Sequence, residues 1–140
     1  ELEALVASLG LFPHEEEFLK HFPESLHEFC GKGIGMWQYP NQIVPLLALL
    51  SRYKINSYLE IGVAAGGTFM LLSELLNAWC TAEETFRAVA CDPAPPGRVS
   101  YLLDAKYEKQ FKDWLQSTHF VSFVQEFSER LERRYAGESL

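Results

Sequence analysis

Cysteine is scarce in this 140-residue chain: Cys30, Cys80 and Cys91 stand far apart, and no C-x-x-C pair occurs. That scarcity excludes a disulfide framework or a zinc ribbon, and the apolar neighbours of each thiol predict small buried hydrophobes. Positive charge is also short, with 12 Lys and Arg against 19 Asp and Glu and a net charge of −7. Partners built on a phosphate backbone select for clustered Lys and Arg, so neither nucleic acid nor an anionic membrane surface is expected. Long hydrophobic runs are missing, so no segment has the length needed to span a bilayer. The opening ELEALVASLG lacks the basic start of a signal peptide, and a reducing, cytoplasmic setting is the default expectation. What is present is ordinary globular composition, 48% hydrophobic and 22% charged, with enough residues for one domain's core.

The first third of the chain reads as helical pieces. Leu2, Leu5, Val6 and Leu9 fall at helical spacing within Glu1–Leu11, which Pro13 ends. His14–Phe22 and Glu24–Cys30 predict two more pieces divided by Pro23. Glu24 and His27 have the E-x-x-H spacing of di-iron bundles, but no second copy exists and a solvated helix face is the reading adopted. GKGIG at Gly31–Gly35 lacks the order of a phosphate loop and predicts a flexible connection, which places an N-terminal helical segment at residues 1–35. A main domain over 36–140 follows. Its first helix is expected from an Asn41 cap to about Tyr53, with Ile43, Leu46, Leu47 and Leu50 on one face and Pro45 near the first turn.

From there strand and helix alternate. Tyr58–Ile61, Thr85–Cys91 and Phe120–Val124 predict strands. Between them, Gly66–Trp79 carries Phe69, Leu72, Leu75, Leu76 and Trp79 at helical spacing. A helix from a Ser100 cap to about Gln116 would turn Leu103, Tyr107, Phe111 and Trp114 inward, and Glu129–Tyr135 predicts a last polar turn. Such alternation implies parallel pairing through right-handed crossovers, hence an α/β, Rossmann-like sheet.

The chemistry concentrates in YLEIGVAAGGT, Tyr58–Thr68, where an apolar run meets a glycine-rich turn and a helix. That order sets free backbone N–H groups beside a ligand. Two ligand classes fit. The dinucleotide fingerprint G-x-G-x-x-G maps onto Gly62, Ala64 and Gly67, with alanine in place of the glycine that lets the backbone reach a pyrophosphate. Glu60, two residues before the turn, suits a ligand carrying positive charge and hydroxyls, and S-adenosylmethionine has a sulfonium, an amino group and no phosphate.

The run Leu59–Thr68 resembles the first motif of class I S-adenosylmethionine-dependent methyltransferases, in the subgroup that reads L-E-I-G-V-x-x-G-G-[ST]. Trp37–Pro40 is also similar to that subgroup. The resemblance implies S-adenosyl-L-methionine as cofactor, with Gly62, Ala64, Gly66 and Gly67 packing against its methionine part. It implies that Glu60 helps orient the loop and the amino group, and that Asp92, ending the second strand, accepts hydrogen bonds from the ribose. Glu126, after the third strand, falls near the position whose acid meets the adenine amino group; its alternative is a solvated carboxylate at a helix start.

The family fold has seven strands, of which this sequence predicts three, so no catalytic residue and no metal ligand is assigned. His119, just before the third strand, is read as structural. The favoured reading is methyl transfer to a small-molecule acceptor, with the N-terminal helices as a lid or substrate element. An NAD(P)-binding oxidoreductase half and a non-catalytic, self-associating module are the alternatives. Three strands with an unpaired first strand would expose apolar faces, which predicts a homo-oligomer through that edge.

Overall fold

The computed structural model describes residues 1–12, 16–81, 85–99 and 105–135. It divides into two compact units, Glu1–Tyr53 and Lys54–Leu140. No helix among the described residues is long and apolar enough to cross a membrane.

The first unit contains helices α1 (Leu2–Ser8) and α2 (Glu16–Leu19), a 3₁₀ segment (Glu24–Phe29) and helix α3 (Pro40–Leu50). In α1 the helix is present, but of the expected apolar residues Leu2, Leu5, Val6 and Leu9, Val6 alone is buried. Val6 and Ala7 are buried, whereas Leu2 and Leu5 are 49% and 61% exposed. In α3 the N-cap is Tyr39 and Pro40 opens the helix, so Asn41 is not the cap. Proline suits that first position, where its missing N–H has no intrahelical partner and its fixed φ is already helical. Pro45 lies inside the helix, while Ile43 and Leu47 are buried and Leu46 is 40% exposed.

The expected flexible connection at Gly31–Gly35 is instead a hydrogen-bonded turn. Leu11 N–H donates to Phe29 O at 2.9 Å and Gly31 N–H to Leu11 O at 2.7 Å. Ile34 N–H donates to Leu9 O at 2.9 Å, and Phe12 N–H to Met36 O at 2.9 Å. Two isolated parallel bridges, Leu11 with Cys30 and Leu11 with Met36, bury Leu11, Phe12 and Met36 completely. The two backbones approach so closely that a Cβ on Gly33 would sit 1.8 Å from Leu9 O. The turn therefore lies within the compact unit Glu1–Tyr53.

The second unit is α/β and Rossmann-like: a parallel sheet in the order β1 (Ser57–Ile61), β2 (Arg87–Asp92), β3 (Val121–Gln125). Helix α4 (Gly67–Trp79) connects β1 to β2, α5 (Ala105–Ser117) connects β2 to β3, and α6 (Ser128–Tyr135) follows. The expected Ser100 cap and Leu103 lie outside the described residues. Strand register sets the two faces. Tyr58, Glu60, Ala88, Ala90 and Phe123 share one face, where Phe69 of α4 stacks on Tyr58 and Phe111 of α5 meets Phe123 edge-on. Val89, Cys91 and Val124 share the other with Leu131 of α6. Helices from two successive parallel crossovers on one face are what right-handed connections require. Beyond β2 the second face thins out, and Leu59 and Ile61 of β1 are 38% and 56% exposed. Among the described residues the outer edge of β1 has no partner strand.

Candidate ligand-binding site

The carboxyl ends of β1 and β2 lie side by side, with Ile61 paired to Cys91 and the next amide, Gly62 N–H, donating to Cys91 O at 2.9 Å. Open α/β sheets bind ligands at this end of their strands. The chain turns away through three left-handed residues, Gly62 (φ 78°), Ala64 (φ 48°) and Gly66 (φ 88°), and α4 begins at Gly67. Two of the glycines serve different needs. A Cβ on Gly66 would come within 2.5 Å of the Phe111 ring, so this glycine lets α4 pack against α5. A Cβ on Gly62 would meet nothing within 4 Å, which leaves its backbone accessible to a ligand. Ala64 holds a conformation that costs an L-residue roughly 1 kcal/mol or more.

What holds Ala64 there is Asp92. Its Oδ2 accepts the N–H groups of Val63 at 2.9 Å and Ala64 at 3.2 Å, and its Oδ1 accepts Ala94 N–H at 2.8 Å. A carboxylate from the end of β2 thus fills the concavity that successive loop amides form. Bonds to an ionised acceptor are the stronger kind, which offsets the strain at Ala64. Gly66 N–H donates to Val63 O at 2.9 Å, so the amides of Gly62, Val63, Ala64 and Gly66 all have partners within the protein. Each carboxylate oxygen accepts about two bonds, and among the described residues Oδ1 of Asp92 accepts one, which keeps an acceptor position for a hydroxyl.

Glu60 lies on the α4 side of β1 and is partly buried. Its hydrogen-bond partner among the described residues is the Tyr58 hydroxyl, which donates to Oε2. Burial raises the Glu60 carboxyl from the ordinary 4.5 to about 7, although the Tyr58 bond pulls it down. Burial, followed by the Glu60 charge, pushes the Tyr58 phenol up. The loop amides of Val63 and Ala64 are held by Asp92, whereas Glu60 is a partly buried carboxylate whose other oxygen has no hydrogen bond among the described residues. Tyr58, the residue bonded to Glu60, is not among the site residues expected from sequence. Its signal was available, because residues two apart on a strand share a face.

Glu126 follows β3, where its N–H donates to Asp92 O at 3.1 Å. Its Oε1 accepts the neighbouring Phe127 N–H at 3.0 Å and Arg130 Nη1 at 3.4 Å. The side chain is engaged at the start of α6, the arrangement of a helix-start carboxylate. Beside it, Cys91 is buried and its Sγ donates to Glu126 O at 3.2 Å, with burial, Asp92 and Glu126 all pushing the thiol up. A thiol so placed behaves as a small hydrophobe.

No family model matches this sequence. No curated protein matches it either. Among solved structures the chain is similar to one described as "cmcI-N160 SAH", with a TM-score of 0.46 and 13% identity over 82% of this chain and 52% of that one. The chain therefore spans about half the length of that protein.

Proposed function

We propose that the chain binds S-adenosyl-L-methionine at the carboxyl ends of β1 and β2, as the cofactor-binding half of a methyltransferase acting on a small-molecule acceptor. The observation that carries this reading is the use of the loop amides. Dinucleotide loops offer free N–H groups to a pyrophosphate. Here Asp92 already occupies those of Val63 and Ala64, and its negative charge would repel a phosphate. A phosphate-free nucleoside avoids both problems. The residues also fit its parts. The bare backbone at Gly62 admits close approach, and the spare acceptor position of Asp92 Oδ1 suits a ribose hydroxyl. Glu60, a carboxylate without a cationic partner among the described residues, suits an ammonium group. The first-motif resemblance of Leu59–Thr68 supports the same cofactor.

When bound, the cofactor supplies an electrophilic methyl group on a sulfonium, and the protein's part is to orient it and exclude misaligned encounters. Calorimetric titration of the chain with S-adenosylhomocysteine and with NAD tests the reading. Binding of the first and not the second is expected, with Glu60→Ala weakening it about tenfold or more through loss of a charge-assisted bond. NAD binding without S-adenosylhomocysteine binding would sink the proposal. So would unchanged affinity in both Glu60→Ala and Asp92→Ala.

A further inference from the structure

We propose that Tyr58 is a positioning residue for the ligand, its hydroxyl fixing one oxygen of Glu60 so that the other is presented to the ligand's cationic group. The inference rests on the reading above and adds a residue to it. Tyr58 and Glu60 share a face of β1, with Leu59 on the opposite face between them. The Tyr58 ring stacks on Phe69 at 5.6 Å with planes 20° apart. Phe69 is completely buried and meets Trp114 edge-on at 5.8 Å and Phe111 at 6.2 Å. The phenol is thus located by an aromatic cluster from α4 and α5, independently of Glu60, and Glu60 adapts to it.

Among the described residues no charged group competes with Tyr58 for Glu60: its hydrogen-bond partner is the Tyr58 hydroxyl, and no ion pair includes it. On the same face of β2, Ala88 and Ala90 stand opposite Tyr58 and Glu60 in register, and neither side chain ionises or donates. The first turn of α4 brings Phe69 and Met70, both buried and apolar, and Thr68, which carries no charge. Farther along α4, Glu74 accepts the Trp114 indole N–H at 2.7 Å. The Asp92 carboxylate is held by the amides of Val63, Ala64 and Ala94. Tyr58 is therefore the donor that sets the Glu60 carboxylate. A donor to the ionised form favours that form, and an anchored carboxylate has less rotamer freedom to lose when a ligand binds.

The substitution Tyr58→Phe keeps the ring and removes only the donor. Titration of the full chain with S-adenosylhomocysteine, in buffers of different ionisation enthalpy, reads both affinity and protons released. In wild type, proton release should be near zero well above pH 7 and rise as the pH falls through 7, where the free carboxyl titrates. It should fall again once the pH drops below the lowered pKa of the bound form. Tyr58→Phe is expected to weaken binding at pH 7 about tenfold and to move the release profile up by about one pH unit. Added to Glu60→Gln, it should produce no further loss, because it acts through that carboxylate. Unchanged affinity and release in Tyr58→Phe, tighter binding, or a loss that adds in full to that of Glu60→Gln would overturn the proposal. A wild-type chain that does not bind S-adenosylhomocysteine overturns the preceding reading together with this one. Wild-type binding with an indifferent Tyr58→Phe overturns this one alone.

Discussion

Gly31–Gly35 and Gly62–Gly67 are both glycine-rich turns closed by backbone hydrogen bonds, yet the space around them differs. A methyl group at Gly33 would lie 1.8 Å from a backbone oxygen, whereas at Gly62 it would meet nothing within 4 Å. The first turn uses glycine so that two stretches of chain can touch, and its polar groups are satisfied by each other. The second keeps an open backbone at the end of a strand, holds Ala64 in a strained conformation, and depends on a carboxylate from the neighbouring strand. Strain and open space together mark a site, while close contact marks a structural joint.

The comparison breaks most visibly at Gly33. Gly33→Ala forces overlap with backbone that cannot yield, so a loss of more than about 3 kcal/mol in denaturant unfolding is expected. Gly62→Ala should cost only about 1 kcal/mol, from its positive φ, while weakening ligand binding. Equal costs at the two positions would erase the distinction between joint and site.

Glu60 sharpens it next, because a partly buried carboxylate beside an open turn is an expense to folding. Its carboxyl titrates at about 7 in the folded protein against an ordinary 4.5, so the folded state holds the proton more tightly than the unfolded one. The stability associated with that proton is full below 4.5 and is lost as the pH rises through 7. Glu60→Gln should therefore leave stability nearly unchanged at pH 4 and raise it by about 2 kcal/mol at pH 8, after allowance for partial solvent screening. Urea unfolding across that range checks the sign, and a flat wild-type profile would contradict it.

The smallest effect is at Ala64. Ala64→Gly relieves left-handed strain but adds freedom to the unfolded chain, for a net gain of about 0.5 kcal/mol. A loss there would mean that Asp92 holds the loop without strain.

Legibility also differed between the two units. In Lys54–Leu140 the expected strands match β1, β2 and β3 within one or two residues at each end, and Gly66–Trp79 matches α4 with Gly66 as its cap. Each strand there is bounded by strong turn residues, and each helix buries a face against a sheet, so local period and tertiary packing agree. In Glu1–Tyr53 they disagree. Leu2 and Leu5 mark a helical face that the unit leaves exposed, and Leu11 and Met36 are buried through backbone bridges that have no periodic signature. The candidate site was legible as a list of residues but not as a set of contacts. Glu60 and Asp92 stand out by sequence position, yet which of them grips the loop depends on how far each carboxylate reaches.

By itself the sequence determined the alternation of strands and helices, the parallel sheet that follows from it, and a glycine turn at the end of the first strand. These are short-range properties, set by side-chain period and by the φ values that glycine permits. Only the tertiary structure decided that Asp92 fills the loop amides and that Glu60 is bonded to Tyr58 instead. The first contact joins residues 28 and 29 positions apart. The second depends on an aromatic cluster drawn from α4 and α5. Hydrogen-bond partners are chosen by which groups the packed chain brings within about 3 Å, and no local pattern carries that distance.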